Sequence, residues 1–206
     1  MLGEKKFRER LRQVGLFASL LYLTIWLPLA AVIYLPFWYH ASCAWNGRCA
    51  VVGEGVVSAG VAELTAYFRH QGELVTRWSA KEKKHLTEVR EIYDRMFFAA
   101  IVAIIVLVVT ADCRAMRRYG LFNTAIVVSL VVVLPFFKTF WMDVFHPLLF
   151  DNELWRTNPS DLTWYLTPRT YFKYTIILLI ALTVLLNGLV ALACRRIGSA
   201  GDTRRS

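Results

Sequence analysis

Four stretches of the chain carry no charged residue: Val14–Trp38, Met96–Ala111, Tyr119–Phe137 and Tyr174–Cys194. At ~1.5 Å of rise per helical residue, each crosses or nearly crosses a hydrocarbon core of ~30 Å, so the pattern predicts four transmembrane helices. Met96–Ala111 is the shortest, and Tyr93, Arg95 and Arg114 stand at its ends, where they can snorkel toward water. The first stretch is longer than a signal-peptide core and no A-x-A site follows it. Ala41-Ser42-Cys43 echoes a lipoprotein processing site, but His40 stands where such a site wants an aliphatic residue, so the expectation is a retained span.

The polar pattern between spans predicts shorter elements. VAELTAYFRHQGELV places Val61, Leu64, Tyr67, Phe68 and Val75 on one helical face, with Gly72 weakening its far end. SAKEKKHLTEVREIYDRM opens on Ser79-x-x-Glu82, a capping box, and runs without a breaker into the second span. On that helix His85, Val89, Ile92 and Met96 form one stripe, and Lys81, Lys84, Glu88, Glu91 and Arg95 fall on the other side. ASCAWNGRCAVV reads as a small hairpin about Asn46-Gly47, with Gly47 left-handed and Cys43 opposite Cys49, a pairing that favours a disulfide in an oxidising compartment. In FHPLLFDNELW, Pro147 biases His146 away from helical geometry, so the extension of the third span is expected to stop there. Asn158-Pro159-Ser160-Asp161 marks a turn before the last span.

Composition agrees with the membrane reading, since 57% of the 206 residues are apolar and 19% charged. Charge adds orientation. With both termini on one side, residues 1–13, 112–118 and 195–206 hold 12 Lys and Arg against 4 acids, and the remaining segments hold 12 against 11. The positive-inside rule then puts both termini in the cytoplasm and the segments 39–95 and 138–171 outside. The basic pI of about 9.6 reports topology and anionic inner-leaflet lipid, and calls for no nucleic-acid partner. The expectation is a single all-α membrane domain with spans near 14–38, 96–113, 119–137 and 172–194, capped outside by short helices and the hairpin. Cys113 and Cys194 read as unreactive thiols at helix ends.

HLTEVR at 85–90 ahead of a span, together with FHPLLFDNELW, Pro159, Asp161-Leu162 and Pro168 ahead of the last span, resembles the bacterial four-span membrane family that includes the lipoprotein intramolecular transacylase. Where the family pattern has Asp three residues after the first histidine, this chain has Glu88; Arg90 takes the basic place, and Glu153 replaces an Asp. The resemblance implies a transfer on the outer face of the bacterial cytoplasmic membrane. The sn-2 acyl chain of a lipoprotein's diacylglyceryl-cysteine would move to that cysteine's α-amine, leaving a lyso-form lipoprotein. It further implies His85 and His146 as catalytic residues, with Arg90, Asp151, Asn152 and Trp155 binding substrate or the oxyanion, and Glu88, Tyr93 and Glu153 in support.

The chemistry fits two histidines. An α-amine of pKa ~7.7–8.0 must lose a proton as it attacks an ester, the departing glycerol oxygen must gain one, and imidazole titrates near ambient pH. Donor ester and acceptor amine share one molecule, so proximity replaces a covalent enzyme intermediate. No H-x-x-x-H or C-x-x-C spacing supports a metal among the histidines and acids, and no cofactor is expected. The expected partners are a diacylated lipoprotein N-terminus and membrane lipid, with the enzyme a monomer. The alternatives are a membrane thiol oxidoreductase using Cys43 and Cys49, or a nonenzymatic envelope scaffold or sensor.

Overall fold

The structure, a computed structural model, describes residues 2–202. Every regular element among them is helical, and four helical paths are long and apolar enough to span a membrane: Gly3–Tyr34, Ala80–Thr110, Cys113–Leu149 and Arg169–Arg196. The chain is therefore a multi-pass membrane protein of four spans, as the charge-free stretches predict. It divides into two compact units.

One unit comprises the stretch up to Pro28, Met96–Val131 and the chain from Leu178 onward. It is held together by polar contacts between apolar helices. Helix α1 (Leu2–Tyr34) buries Leu16, Leu20 and Leu23. Its Thr24 carbonyl accepts from the Thr183 hydroxyl at 3.0 Å, and Tyr22 donates to the Met96 carbonyl at 2.6 Å. In hydrocarbon the alternative to such a bond is an unsatisfied polar group, which is why Thr and Tyr work as adhesive between spans.

The other unit comprises Leu29–Arg95 and Val132–Ile177. Pro36 lacks an amide hydrogen, so α1 ends at Tyr34 and α2 (Phe37–Trp45) starts afresh beyond the proline. Short helices α3 (Cys49–Val52) and α4 (Glu54–Phe68) follow, separated by Gly53, whose φ of 85° favours glycine. Val61, Leu64, Tyr67 and Phe68 are buried as one face of α4. Gly60 lets that face close down on Leu162, since a Cβ there would lie 2.8 Å from the Leu162 Cδ2.

Two expectations fail between α2 and the helix that starts at Ala80. The Asn46-Gly47 segment is a turn between α2 and α3 rather than a hairpin. Asn46 ends α2, donates its amide to the Tyr165 carbonyl at 2.8 Å and accepts from the Arg48 amide, so tertiary bonds consume the side chain that would have set a hairpin. Cys43 and Cys49 nonetheless pair, in a disulfide with Cα atoms 5.4 Å apart. Val75, in turn, does not extend the face of α4: it is 73% exposed. The helix stops at Phe68 in a left-handed cap at His70, with amides 70 and 71 donating to the carbonyls of Tyr67 and Ala66. The His70 ring lies 2.9 Å from Asp94, which holds this unusual non-glycine cap in place.

Beyond the cap, Glu63 fixes the loop by accepting from the amides of Val75 and Thr76, the Thr76 hydroxyl and the Trp78 indole. Burial would push the Glu63 carboxyl up, but these donors more than offset it and hold it below its ordinary value. Helix α5 (Ala80–Thr110) then begins with the expected capping box. The Ser79 amide donates to Glu82, and the Glu82 amide donates to the Ser79 hydroxyl. Glu82 is itself buried and accepts from the Thr163 amide and hydroxyl, at 2.7 and 2.8 Å.

The third helical path changes pitch four times: α6 (Cys113–Ser129), a 3₁₀ stretch Leu130–Phe136 containing Pro135, α7 (Phe137–Thr139), a π-helical turn Phe140–Phe145 and α8 (His146–Leu149). His146 is therefore helical, with φ −69° and ψ −46°, contrary to the expectation set by Pro147. The wider π turn immediately before the proline accommodates a residue that cannot donate to the ladder, so the path continues to Leu149 before Phe150 turns extended. Helices α9 (Thr163–Leu166) and α10 (Arg169–Asp202) complete the chain.

Candidate active site

The unit made of Leu29–Arg95 and Val132–Ile177 gathers both motif histidines around one phenyl ring. Phe150 meets the His85 ring edge-on at 4.8 Å and the His146 ring at 6.0 Å, and it is itself buried. His85 projects from the second turn of α5. The start of that helix is anchored by Lys81 and Ser79 to Asp161, at 2.6 and 3.0 Å, and by Glu82 to Thr163. Asp161 is 1% exposed and also accepts from the Asn158 amide. Burial raises its pKa, but the Lys81 ammonium, the Asn158 amide and the Ser79 hydroxyl outweigh that effect and hold the carboxyl below its usual value. The junction fixes the loop before α9 against the N-terminus of the helix that carries His85.

One helical turn on, Glu88 lies beside His85 and not on the other side of the helix from its stripe. Its Oε2 lies 3.6 Å from His85 Nδ1, just beyond a direct hydrogen bond, and its Oε1 accepts from the Asn152 amide at 3.0 Å. Asn152 in turn accepts from the Leu154 amide at 3.0 Å, so the loop after α8 is tied through one carboxylate to the first histidine. Residues 85 and 88 share a helical face by the i, i+3 relation, and the loop supplies a donor to the partly buried carboxylate.

His146 is buried at 6% exposure in an aromatic box. Trp155 stacks on it at 4.3 Å and 26°, while Trp141 and Phe145 meet it edge-on at 4.6 and 5.4 Å. Its Nδ1 donates to the Trp141 carbonyl at 2.7 Å. A carbonyl can only accept, so Nδ1 carries the hydrogen and Nε2 keeps its lone pair in the neutral ring. Trp141 is braced by stacking on Phe137, Phe145 and Phe172, at 5.4, 4.7 and 4.4 Å.

The other sequence candidates do not join this cluster. The Arg90 guanidinium lies 4.0 Å over the Tyr67 ring, and Tyr93 packs edge-on against Phe68 at 5.1 Å. Asp151 is exposed, and Glu153, also exposed, pairs with Arg156 at 2.6 Å. In exchange, the structure brings in Trp141 and Phe150. Phe150 was detectable as the i+4 neighbour of His146 within the same motif. Trp141 was not, because its alignment with His146 depends on the π turn.

A family model described as lipoprotein intramolecular transacylase Lit matches residues 14–172. No curated protein is matched. Among solved structures, the membrane integral lipoprotein intramolecular transacylase Lit from Bacillus cereus is 16% identical, with a TM-score of 0.80, covering 98% of this chain and all of that one. Two variants of the same Bacillus cereus protein, with a histidine replaced by alanine or by arginine, are 16% and 15% identical and give TM-scores of 0.82 and 0.83. They cover 100% and 98% of this chain, and 99% and 97% of their own. At such identity the likeness establishes a shared fold across the whole length.

Proposed function

The chain belongs to the family of lipoprotein intramolecular transacylases, membrane enzymes that shift an acyl group within one lipoprotein molecule, and we propose that His85 and His146 are the acid–base pair that performs the shift. The reading extends to the atoms that move. The α-amine of a diacylglyceryl-cysteine attacks the sn-2 ester carbonyl, one imidazole takes the amine proton, and the other returns a proton to the departing glycerol oxygen. One C–O bond breaks, one C–N bond forms, and the product has the mass of the substrate. Family membership gives no support to a thiol oxidoreductase or a scaffold.

The observation that carries this reading is the convergence of two imidazoles on Phe150, that of His146 buried and that of His85 partly so, each with its Nδ1 turned toward an acceptor. The Trp141 bond supports a role for His146 Nε2 toward the substrate, and the approach of Glu88 to His85 Nδ1 supports the same role for His85 Nε2. The second N–H of the Asn152 amide and the indole N–H of Trp155 are the donors proposed for the developing oxyanion, where one well-placed donor is worth ~2.7–4 kcal/mol. The 12-to-4 excess of basic over acidic residues on the segments shared with the termini favours cytoplasmic termini and a site opening to the outer face of the bacterial cytoplasmic membrane. The test is fragmentation mass spectrometry of lipoprotein N-termini from cells with and without this gene. An N-acyl cysteine with a singly acylated glyceryl group is expected only when the gene is present; doubly acylated glyceryl with a free amine in both strains would overturn the reading.

A further inference from the structure

Apart from the histidine cluster, the same unit has an open cavity of about 540 Å³, and its lining is lopsided in charge. Arg48, Lys138, Arg169 and Lys173 line it, together with Leu134, Pro135, Phe137 and Pro168, and no acidic side chain does. The segments lying between the spans on this side of the chain are close to neutral taken whole, with 12 basic residues, these four included, against 11 acids. Four cations around one hollow therefore stand out from their surroundings. Arg48 is held by donating to the Trp164 carbonyl at 3.1 Å and lying 3.9 Å over the Trp164 ring. Lys138, Arg169 and Lys173 form no ion pair among the described residues.

Position within the chain narrows the occupant. Lys138 follows directly on the charge-free run that ends at Phe137, and Lys173 directly precedes the run that begins at Tyr174. The cavity thus opens at the depth of lipid headgroups, with apolar walls beside its cations. We infer that it binds an anionic phospholipid, with Lys138, Arg169 and Lys173 around the phosphodiester and Leu134, Pro135 and Phe137 against the upper acyl carbons. Free phosphate would use the cations and leave the apolar wall idle; a zwitterionic lipid would bring its own cation into a site that already has four. The diacylglyceryl-cysteine of the proposed reaction carries no phosphate, so this ligand is distinct from the substrate. The inference stands apart from the transfer chemistry.

The test is native mass spectrometry of the detergent-purified protein, titrated separately with dioleoyl-phosphatidylglycerol, dioleoyl-phosphatidylcholine and inorganic phosphate. One phosphatidylglycerol should remain bound after collisional activation that strips the rest, at least tenfold tighter than phosphatidylcholine and not displaced by millimolar phosphate. The triple variant Lys138→Gln/Arg169→Gln/Lys173→Gln should weaken that adduct tenfold or more. Thr170→Trp, which fills the cavity from its lining without changing any charge, should weaken it as well. Arg114→Gln/Arg117→Gln/Arg118→Gln, in a basic cluster elsewhere in the chain, should not. Equal binding of the two lipids, displacement by phosphate, or a retained adduct in Thr170→Trp would overturn the inference, and the last of these decides it even if the triple variant fails to fold.

Discussion

Asn152 donates to Glu88 across 3.0 Å, and that one bond ties the loop after α8 to the helix bearing His85. Glu88 presents its other oxygen to the His85 ring, so charging the imidazole would convert a 3.6 Å approach into an ion pair. A hydrogen bond to a charged group is worth ~1.5–3 kcal/mol. Glu88→Gln, which can still accept from Asn152, should therefore lower the transfer rate by about 10–100-fold. Asn152→Ala should lower it by about 10²–10³-fold as a lost oxyanion donor. Both variants are to be assayed by the N-acyl fragment ions, with protein level in the membrane as control; wild-type rates in Glu88→Gln would remove the carboxylate from the mechanism.

His85→Ala and His146→Ala should each abolish those fragment ions while the protein still accumulates. The double variant should be no worse than either single, because groups that act as one catalytic unit are not additive. Near-normal product from either single variant would return that histidine to the role of a packed aromatic.

The Asp161 carboxyl has a folded pKa below its unfolded one, so the stability it supplies is complete above the ordinary aspartate value of ~3.9 and is lost as pH falls toward the depressed folded value. Thermal unfolding in detergent should show an acid limb below about pH 4 that is smaller in Asp161→Asn. At neutral pH the same substitution should cost about 3 kcal/mol, as for one half of a buried pair removed. An unchanged acid limb would mean that the junction between α5 and the loop before α9 forms without this charge.

Alkylation before and after reduction should differ by two thiols, assigned to Cys43 and Cys49, and loss of so short a bridge should cost roughly 2–3 kcal/mol. Cys49 is only 5% exposed. After reduction, an impermeant thiol reagent applied to spheroplasts should thus label Cys43 faster than Cys49 and leave Cys113 and Cys194 unlabelled. Labelling of Cys113 from outside would invert the proposed topology.

What the sequence discloses follows the range of the forces involved. Spans depend on summed hydropathy and the start of α5 on a four-residue capping box, so both are readable locally. The pair of histidines is legible only through a resemblance, because nothing in their spacing says that Phe150 will touch both. Glu88 misleads because a carboxylate on an amphipathic helix ordinarily faces water, and the Asn152 amide that engages it lies 64 positions away. The Asn46-Gly47 hairpin signal fails for the same reason, since the Tyr165 carbonyl that captures Asn46 is remote in sequence. His146 fails differently: Pro147 does forbid an ordinary α-helical ladder, and the chain answers with a wider turn rather than a stop.

That wider turn makes residue count itself a device for aiming a ring. Each residue of an ordinary helix advances the chain ~1.5 Å and rotates it ~100°, and the turn Phe140–Phe145 absorbs a surplus of length between Pro135 and Pro147. Removing the half-exposed Val144 would restore regular pitch and leave the span intact, yet swing His146 off the Trp141 carbonyl and out from under Trp155. A gap of a single position in a transmembrane stretch, ordinarily dismissed as neutral variation, would here separate an armed imidazole from an idle one.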